Sequence, residues 1–148
     1  MREAAFLMLL LAGCAAMAVS GCAPADISDG SATFDTCPSQ SFPAFLHRFS
    51  ESVKVQQTFT HFPLEQSRIV QGRDEPHQVR LRIHKNDLHF PLYPDNSIIL
   101  SQRLSKTITE REKDAVVTLA KTDTDYLVTY HFKKTDCWYL AKIDDQSL

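Results

Sequence analysis

The placement of its cysteines constrains this chain more than any other feature. Cys14 and Cys22 lie in an apolar N-terminal stretch, and Cys37 and Cys137 stand far apart in the remainder. A bond between the latter two would tie the start of the folded body to a strand near its end. It would close a loop of about 100 residues, to which the chain-entropy model assigns about 4.7 kcal/mol before strain. That is large beside a typical domain stability of roughly 5–15 kcal/mol. The bond needs an oxidising compartment, and two buried free thiols are the alternative. The compartment is therefore the first question.

The first residues, "MREAAFLMLLLAGCAAMAVSGC", open on Arg2 and run without charge from Ala4 to Cys22. A charged start followed by an apolar middle is the pattern of a secretory signal. About 20 apolar residues also suffice to cross a bilayer, so an uncleaved anchor is the alternative. Val19-Ser20-Gly21-Cys22 resembles a bacterial lipobox, in which the cysteine receives diacylglycerol and becomes the first residue after cleavage. Leu11-Ala12-Gly13-Cys14 fits the same pattern. Cleavage there would shorten the signal and leave Ala15 to Val19 as an apolar start, so Cys22 is preferred and Cys14 is the alternative. The resemblance implies a signal peptide over 1–21 and an acylated, palmitate-bearing Cys22, since two or three chains are needed for stable anchoring. Ala23 rather than Asp follows the cysteine, which by the same resemblance favours the outer membrane, facing the periplasm. In such an envelope protein, Cys37 and Cys137 read as a disulfide.

Residues 22–40 are small, polar and turn-rich, the composition of a tether, with Cys37 near the start of ordered structure. No later stretch has linker composition, so one domain is expected over 41–148. Charge is nearly balanced, at 16 Lys+Arg against 18 Asp+Glu, which gives nucleic acid no basic stripe to bind. Only four glycines occur and no phosphate-loop motif is present.

"SFPAFLHRFSE" places Phe42, Phe45, Leu46 and Phe49 at i, i+3, i+4 and i+7, one face of a helix whose first turn tolerates Pro43. Ser50 or Ser52 can cap a second short helix through Gln57. "SRIVQG" and "VRLRIH" are expected strands around a loop, and "NSIILSQRLSKTI" reads as strand or helix. "DAVVTLAK", "YLVTYHFKK" and "CWYLAKID" form an antiparallel meander. Tyr126, Val128, Tyr130 and Phe132 share one face of the middle strand and His131 the other. In the last strand, alternation groups Tyr139, Ala141 and Ile143 against Trp138, Leu140 and Lys142. "KTITEREKD" is a mixed-charge run expected in a solvated loop or helix face.

The tetrapeptide HFPL occurs at His61–Leu64 and again at His89–Leu92, with unrelated flanks, so it is no internal repeat. Proline cannot donate to a ladder, so Pro63 and Pro91 are expected at strand ends or edges, as packing corners. Six histidines occur without the local spacing of a zinc site, and neither metal nor cofactor is called for.

The order of these elements resembles the nuclear-transport-factor-2-like superfamily. "FLHRFSESVKVQQTFTHFPL" and "DYLVTYHFKKTDCWYLAKIDD" carry the likeness, and within the superfamily they are similar to small envelope lipoproteins. It spans Phe42 to Leu64 and Ala115 to Asp145, without the middle. It implies an α+β fold in which N-terminal helices pack on a curved, mostly antiparallel sheet, like a cone. A small α+β sandwich or roll is the competing architecture. Members with this cone range from enzymes to binding modules, so fold does not fix function. Catalytic members use an acid, base or His-Asp pair inside the cone, for which Tyr126, Tyr130 and His131, with Asp123 or Asp125 at a loop, are the candidates here. A satisfied or exposed His131 is the commoner case. Tyr126, Tyr130, Phe132 and Trp138 are the candidate ligand or partner face, although buried aromatics on a strand are more often core. Three functions follow: a lipid-anchored domain that binds an envelope protein or small ligand without catalysis, a periplasmic immunity or inhibitor lipoprotein, and a small-molecule enzyme.

Overall fold

The computed structural model describes residues 36–148. The signal peptide, Cys14, Cys22 and most of the tether lie outside the described residues. Helix α1 (Phe42–Glu51) buries Phe42, Phe45, Leu46 and Phe49 and keeps Pro43 in its first turn. Arg48 in its last turn complements the negative end of the helix dipole. Ser52 then breaks the helix with an extended backbone and starts the next one, because its hydroxyl accepts the Val55 N–H at 3.3 Å. Helix α2 spans Val53–Thr58 and buries Val55 and Gln56.

Six strands follow: β1 (Thr60–Val70), β2 (His77–Ile83), β3 (Ser105–Glu110), β4 (Asp114–Ala120), β5 (Leu127–Lys134) and β6 (Trp138–Asp145). They form one sheet in the order β2-β1-β6-β5-β4-β3. Every neighbouring pair is antiparallel except β1 with β6. A single 3-10 turn (Lys85–Asp87) and helix α3 (Asn96–Ser101) lie between β2 and β3.

The stretch "NSIILSQRLSKTI" is both helix and strand. Asp95 caps α3 by accepting the Ile98 N–H at 2.8 Å. The Ser97 hydroxyl and that N–H together hold its carboxyl below the usual carboxylate range. Arg103, with φ 57°, takes the left-handed conformation that ends the helix, and Leu104 N–H returns to the Ile99 carbonyl at 2.9 Å. The chain then enters β3. The charged run "KTITEREKD" is accordingly an edge strand and a turn rather than a loop or helix face.

The inner face of the sheet is closed by α1. Phe42 meets Trp138 at 4.9 Å and Phe132 at 5.3 Å between ring centroids, and Phe49 meets Phe132 at 5.3 Å, all edge to face. Val117, Leu119, Val128 and Leu140 complete this layer. The aromatic edges fit one another's faces, which adds to the burial itself.

Strict alternation fails in β6, and the failure shapes the outer face. His131 pairs with Lys142 and Phe132 with Leu140, so Ala141 is an extra residue, a β-bulge. Trp138, Leu140 and Ile143 are all buried as a result, and Lys142 and Asp144 turn outward together with Tyr139. The expected grouping of Ile143 with Tyr139 is thereby corrected.

Pro63 sits inside β1 rather than at its end. The β1–β6 register breaks between Thr60 and Glu65, and pairing with β2 begins only at Leu64, so no ladder bond is asked of Pro63. The second corner lies in a loop held by Gln56. Both Phe-Pro bonds are cis.

Candidate functional site

The aromatic residues proposed to line a cone pocket are mostly interior. Tyr130, Phe132 and Trp138 are 4%, 1% and 1% exposed. The phenylalanines of α1 pack on Phe132 and Trp138, so these rings are interior and not an open face. Tyr126 alone of the four is half-buried. It borders a shallow depression of about 470 Å³ with Leu104, Asp123, Asp125 and Ser147. Burial, and then the negative charge of Asp145, push its phenol up. Burial likewise raises the phenols of Tyr130 and Tyr93, with Tyr126 adding to both. All three phenols therefore stay neutral over the physiological range.

Cys37 and Cys137 form the disulfide expected from the sequence, with Cα atoms 5.5 Å apart. Its surroundings show that residues 36–40, tether by composition, are bound to the domain. The Gln40 carbonyl accepts from Trp138 Nε1 at 3.1 Å and from Lys134 Nζ at 2.8 Å. Gln40 Nε2 in turn donates to the Asp136 carbonyl at 2.8 Å.

A concavity of about 520 Å³ lies on the outer face of the sheet, away from α1. Its walls come from β1 (His61, Glu65), β2 (Arg82), β5 (His131, Lys133) and β6 (Tyr139, Lys142). The rings of His61 and Tyr139 lie against each other at 5.8 Å. Arg82 reaches Glu65 at 3.4 Å across an exposed pair that contributes little. An adjoining hollow adds Ser67 and Arg80.

Asp144 is the hub of this face. Its Oδ2 is 2.7 Å from His131 Nε2 and 2.8 Å from Lys142 Nζ, and its Oδ1 accepts from the Ser67 hydroxyl. Gln78 Nε2 donates to the same hydroxyl oxygen at 3.2 Å. Burial alone would raise the pKa of Asp144, whose side chain is 16% exposed. Hydrogen bonds from Lys142, Ser67 and His131 outweigh it and hold the carboxyl below its ordinary value. The bulge at Ala141 makes the cluster possible by turning Lys142 and Asp144 to the side of His131.

The arrangement is not that of an activated serine. Ser67 gives its proton to the carboxylate and not to the imidazole, so no base is aligned on its oxygen. His131 is oriented through Nε2 by Asp144 Oδ2, and its ring lines the groove. Of the groups weighed from sequence, only His131 belongs here. Asp123 and Asp125 lie in the β4–β5 connection, beside Tyr126. Ser67, Lys142 and Asp144 carried no sequence signal, because the bulge that joins them to His131 leaves none. No group of three or more His, Cys, Asp or Glu among the described residues could hold a metal ion.

Helices and a six-stranded mixed sheet, with β1 and β6 its one parallel pair, make this an α+β domain of the NTF2-like fold. A solved NTF2-like protein from Bacteroides fragilis superposes with a TM-score of 0.56 over 77% of this chain, at 15% sequence identity. The match covers 50% of that protein, so this chain spans about half its length. A de novo designed protein from work on diverse pocket structures aligns over 68% of this chain, at 10% identity and a TM-score of 0.32. No protein-family model matches the sequence, and no curated protein matches it.

Proposed function

We propose that this chain is a lipid-anchored lipoprotein of the cell envelope whose domain binds an anionic partner on the outer face of its sheet, without catalysis. One observation carries the reading. The helix side of the sheet is filled by Phe42, Phe45, Phe49, Tyr130, Phe132 and Trp138, while a concavity of about 520 Å³ opens on the other side, between Arg82, Lys133, Lys142, His61 and His131. Arg82 is paired with Glu65 and Lys142 with Asp144, so the exposed Lys133 is the cation in excess, and the group suits an acidic protein surface or a small ligand bearing carboxylate or phosphate. The leader and the lipobox-like Val19–Cys22 support the anchor, and the disulfide suits an oxidising compartment.

The test is co-purification from detergent-solubilised envelope with a photo-crosslinking residue at Tyr139, paired with mass analysis of the N-terminal peptide. A partner captured by the native chain and lost with Lys133→Glu supports the reading, as does an acylated Cys22. Equal capture by both forms, or an N-terminus still at Met1, overturns the corresponding half.

The bonded pair of His131 and Asp144 favours a second reading, an enzyme in which His131 acts as a base toward a ligand in the groove. Turnover of such a ligand that disappears in His131→Gln, with binding retained, would select this reading over the first.

A further inference from the structure

The sheet has two outer strands, and they differ in whether they can meet a copy of themselves. We propose that β3 pairs antiparallel with β3 of a second copy of this chain, joining two six-stranded sheets edge to edge. All six residues of β3 are exposed, no strand covers its far side among the described residues, and its ladder with β4 runs without a shift from Ser105 to Glu110. It contains no proline and no bulge; its charged residues, Lys106 and Glu110, would blunt it against most partners but not against one that pairs both charges.

The order of side chains selects the partner. Lys106, Ile108 and Glu110 stand opposite the buried Leu119, Val117 and Ala115 and so face the helix side, and Thr107 and Thr109 face the other. A two-fold axis through Ile108 places each Lys106 opposite the Glu110 of the other copy. It also places Ile108 on Ile108, and Thr107 on Thr109. Both charges are thus neutralised by a strand of the same sequence run backwards. Moving the axis to Thr107 brings Lys106 opposite Ile108 and leaves both charges unpaired, and moving it to Thr109 sets Glu110 opposite Ile108 and carries Lys106 beyond the strand, to Glu112. Ile108 is 40% exposed and would be covered by its own copy. The hollow beside it, of about 150 Å³ and lined by Pro43, Leu46, His47 and Lys106, shows that α1 leaves this edge open.

The other edge offers no such match. In β2 the central residue is Arg80, so an antiparallel copy centred there sets Arg80 against Arg80, one centred on Leu81 sets it against Arg82, and one centred on Val79 sets it against Gln78, with no carboxylate in the strand to oppose it. Like charges directly opposite are repulsive. Pairing through β3 therefore closes at two copies. It also leaves the groove between β1, β5 and β6 free, so it does not depend on what that groove binds.

The test is the mass of the full chain in detergent by sedimentation equilibrium over a hundredfold concentration range, with near-ultraviolet circular dichroism to confirm folding. The native chain should reach twice the monomer mass. Lys106→Glu and Glu110→Lys should each weaken association at least tenfold, and the two together should restore it, since the exchanged charges again oppose each other. Ile108→Cys should give a disulfide-linked dimer on non-reducing gels, and Val79→Cys on β2 should give none. A native chain that stays monomeric, single charge changes without effect, or a double exchange that fails to restore association would overturn the proposal.

Discussion

The side chain of Gln56 binds the backbone of Tyr93 at both ends of its amide: Nε2 donates to the Tyr93 carbonyl at 2.9 Å, and Oε1 accepts the Tyr93 N–H at 3.0 Å. The same oxygen accepts the Leu92 N–H at 2.6 Å. Gln56 is fully buried, so these bonds replace the water that the corner after Pro91 would otherwise need. Gln56→Ala leaves two N–H groups and a carbonyl unpaired and should lose about 2–4 kcal/mol in urea unfolding. A loss under about 0.5 kcal/mol would show that the corner is held by other contacts.

Tyr93 itself supplies a contrasting case. Its side chain is 1% exposed, and its hydroxyl has no hydrogen-bond partner among the described residues. The ring packs edge to face on Tyr130 at 4.8 Å, which Phe would keep. Tyr93→Phe removes only the unpaired oxygen and should stabilise the domain by about 1 kcal/mol. Chemical denaturation of the two forms side by side decides it, and a clear loss would reveal a bond to the hydroxyl.

The disulfide should matter more than its single contact suggests, because it also presents Gln40 to Trp138 and Lys134. Replacing both Cys37 and Cys137 by Ser should lower stability by about 2–5 kcal/mol. The native chain with reductant present should fall to the same level. If reductant leaves the unfolding midpoint unmoved, the loop closure contributes nothing.

Acid should act through Asp144. Its folded pKa is depressed, so its contribution is complete above the unfolded value of about 3.9 and disappears as pH falls through the lower folded value. At pH 7, Asp144→Asn should be less stable than the native chain by about 1–2 kcal/mol, since bonds to a charged acceptor are the stronger ones. That gap should shrink by at least half by about pH 3. A gap that is the same at both values would remove the carboxylate from the acid response.

How much of this was legible beforehand follows from how local each signal is. Phe42, Phe45, Leu46 and Phe49 define a helix face by spacing alone, and the helix lies where they place it. The meander of β4, β5 and β6 was legible because its polar turns are short. The parallel contact of β1 with β6 was not, since it joins strands from opposite ends of the domain. Ala141 is the sharpest case. One extra residue moves Ile143 inward and Asp144 outward, and nothing in "CWYLAKID" marks where alternation stops. The candidate site depends on that residue, so His131 was visible as a candidate while its partner was hidden.

The central position of β6 also governs when this domain can fold. The ribosome makes β1 and β2 early and β3, β4 and β5 later, and these two groups share no ladder until residues 138–145 slide between them. A chain interrupted short of Trp138 would carry two raw strand edges at once, and it would hold Cys37 before its partner sulfur existed in place. Assembly of the sheet therefore waits for its last strand, β6, whatever else has already formed.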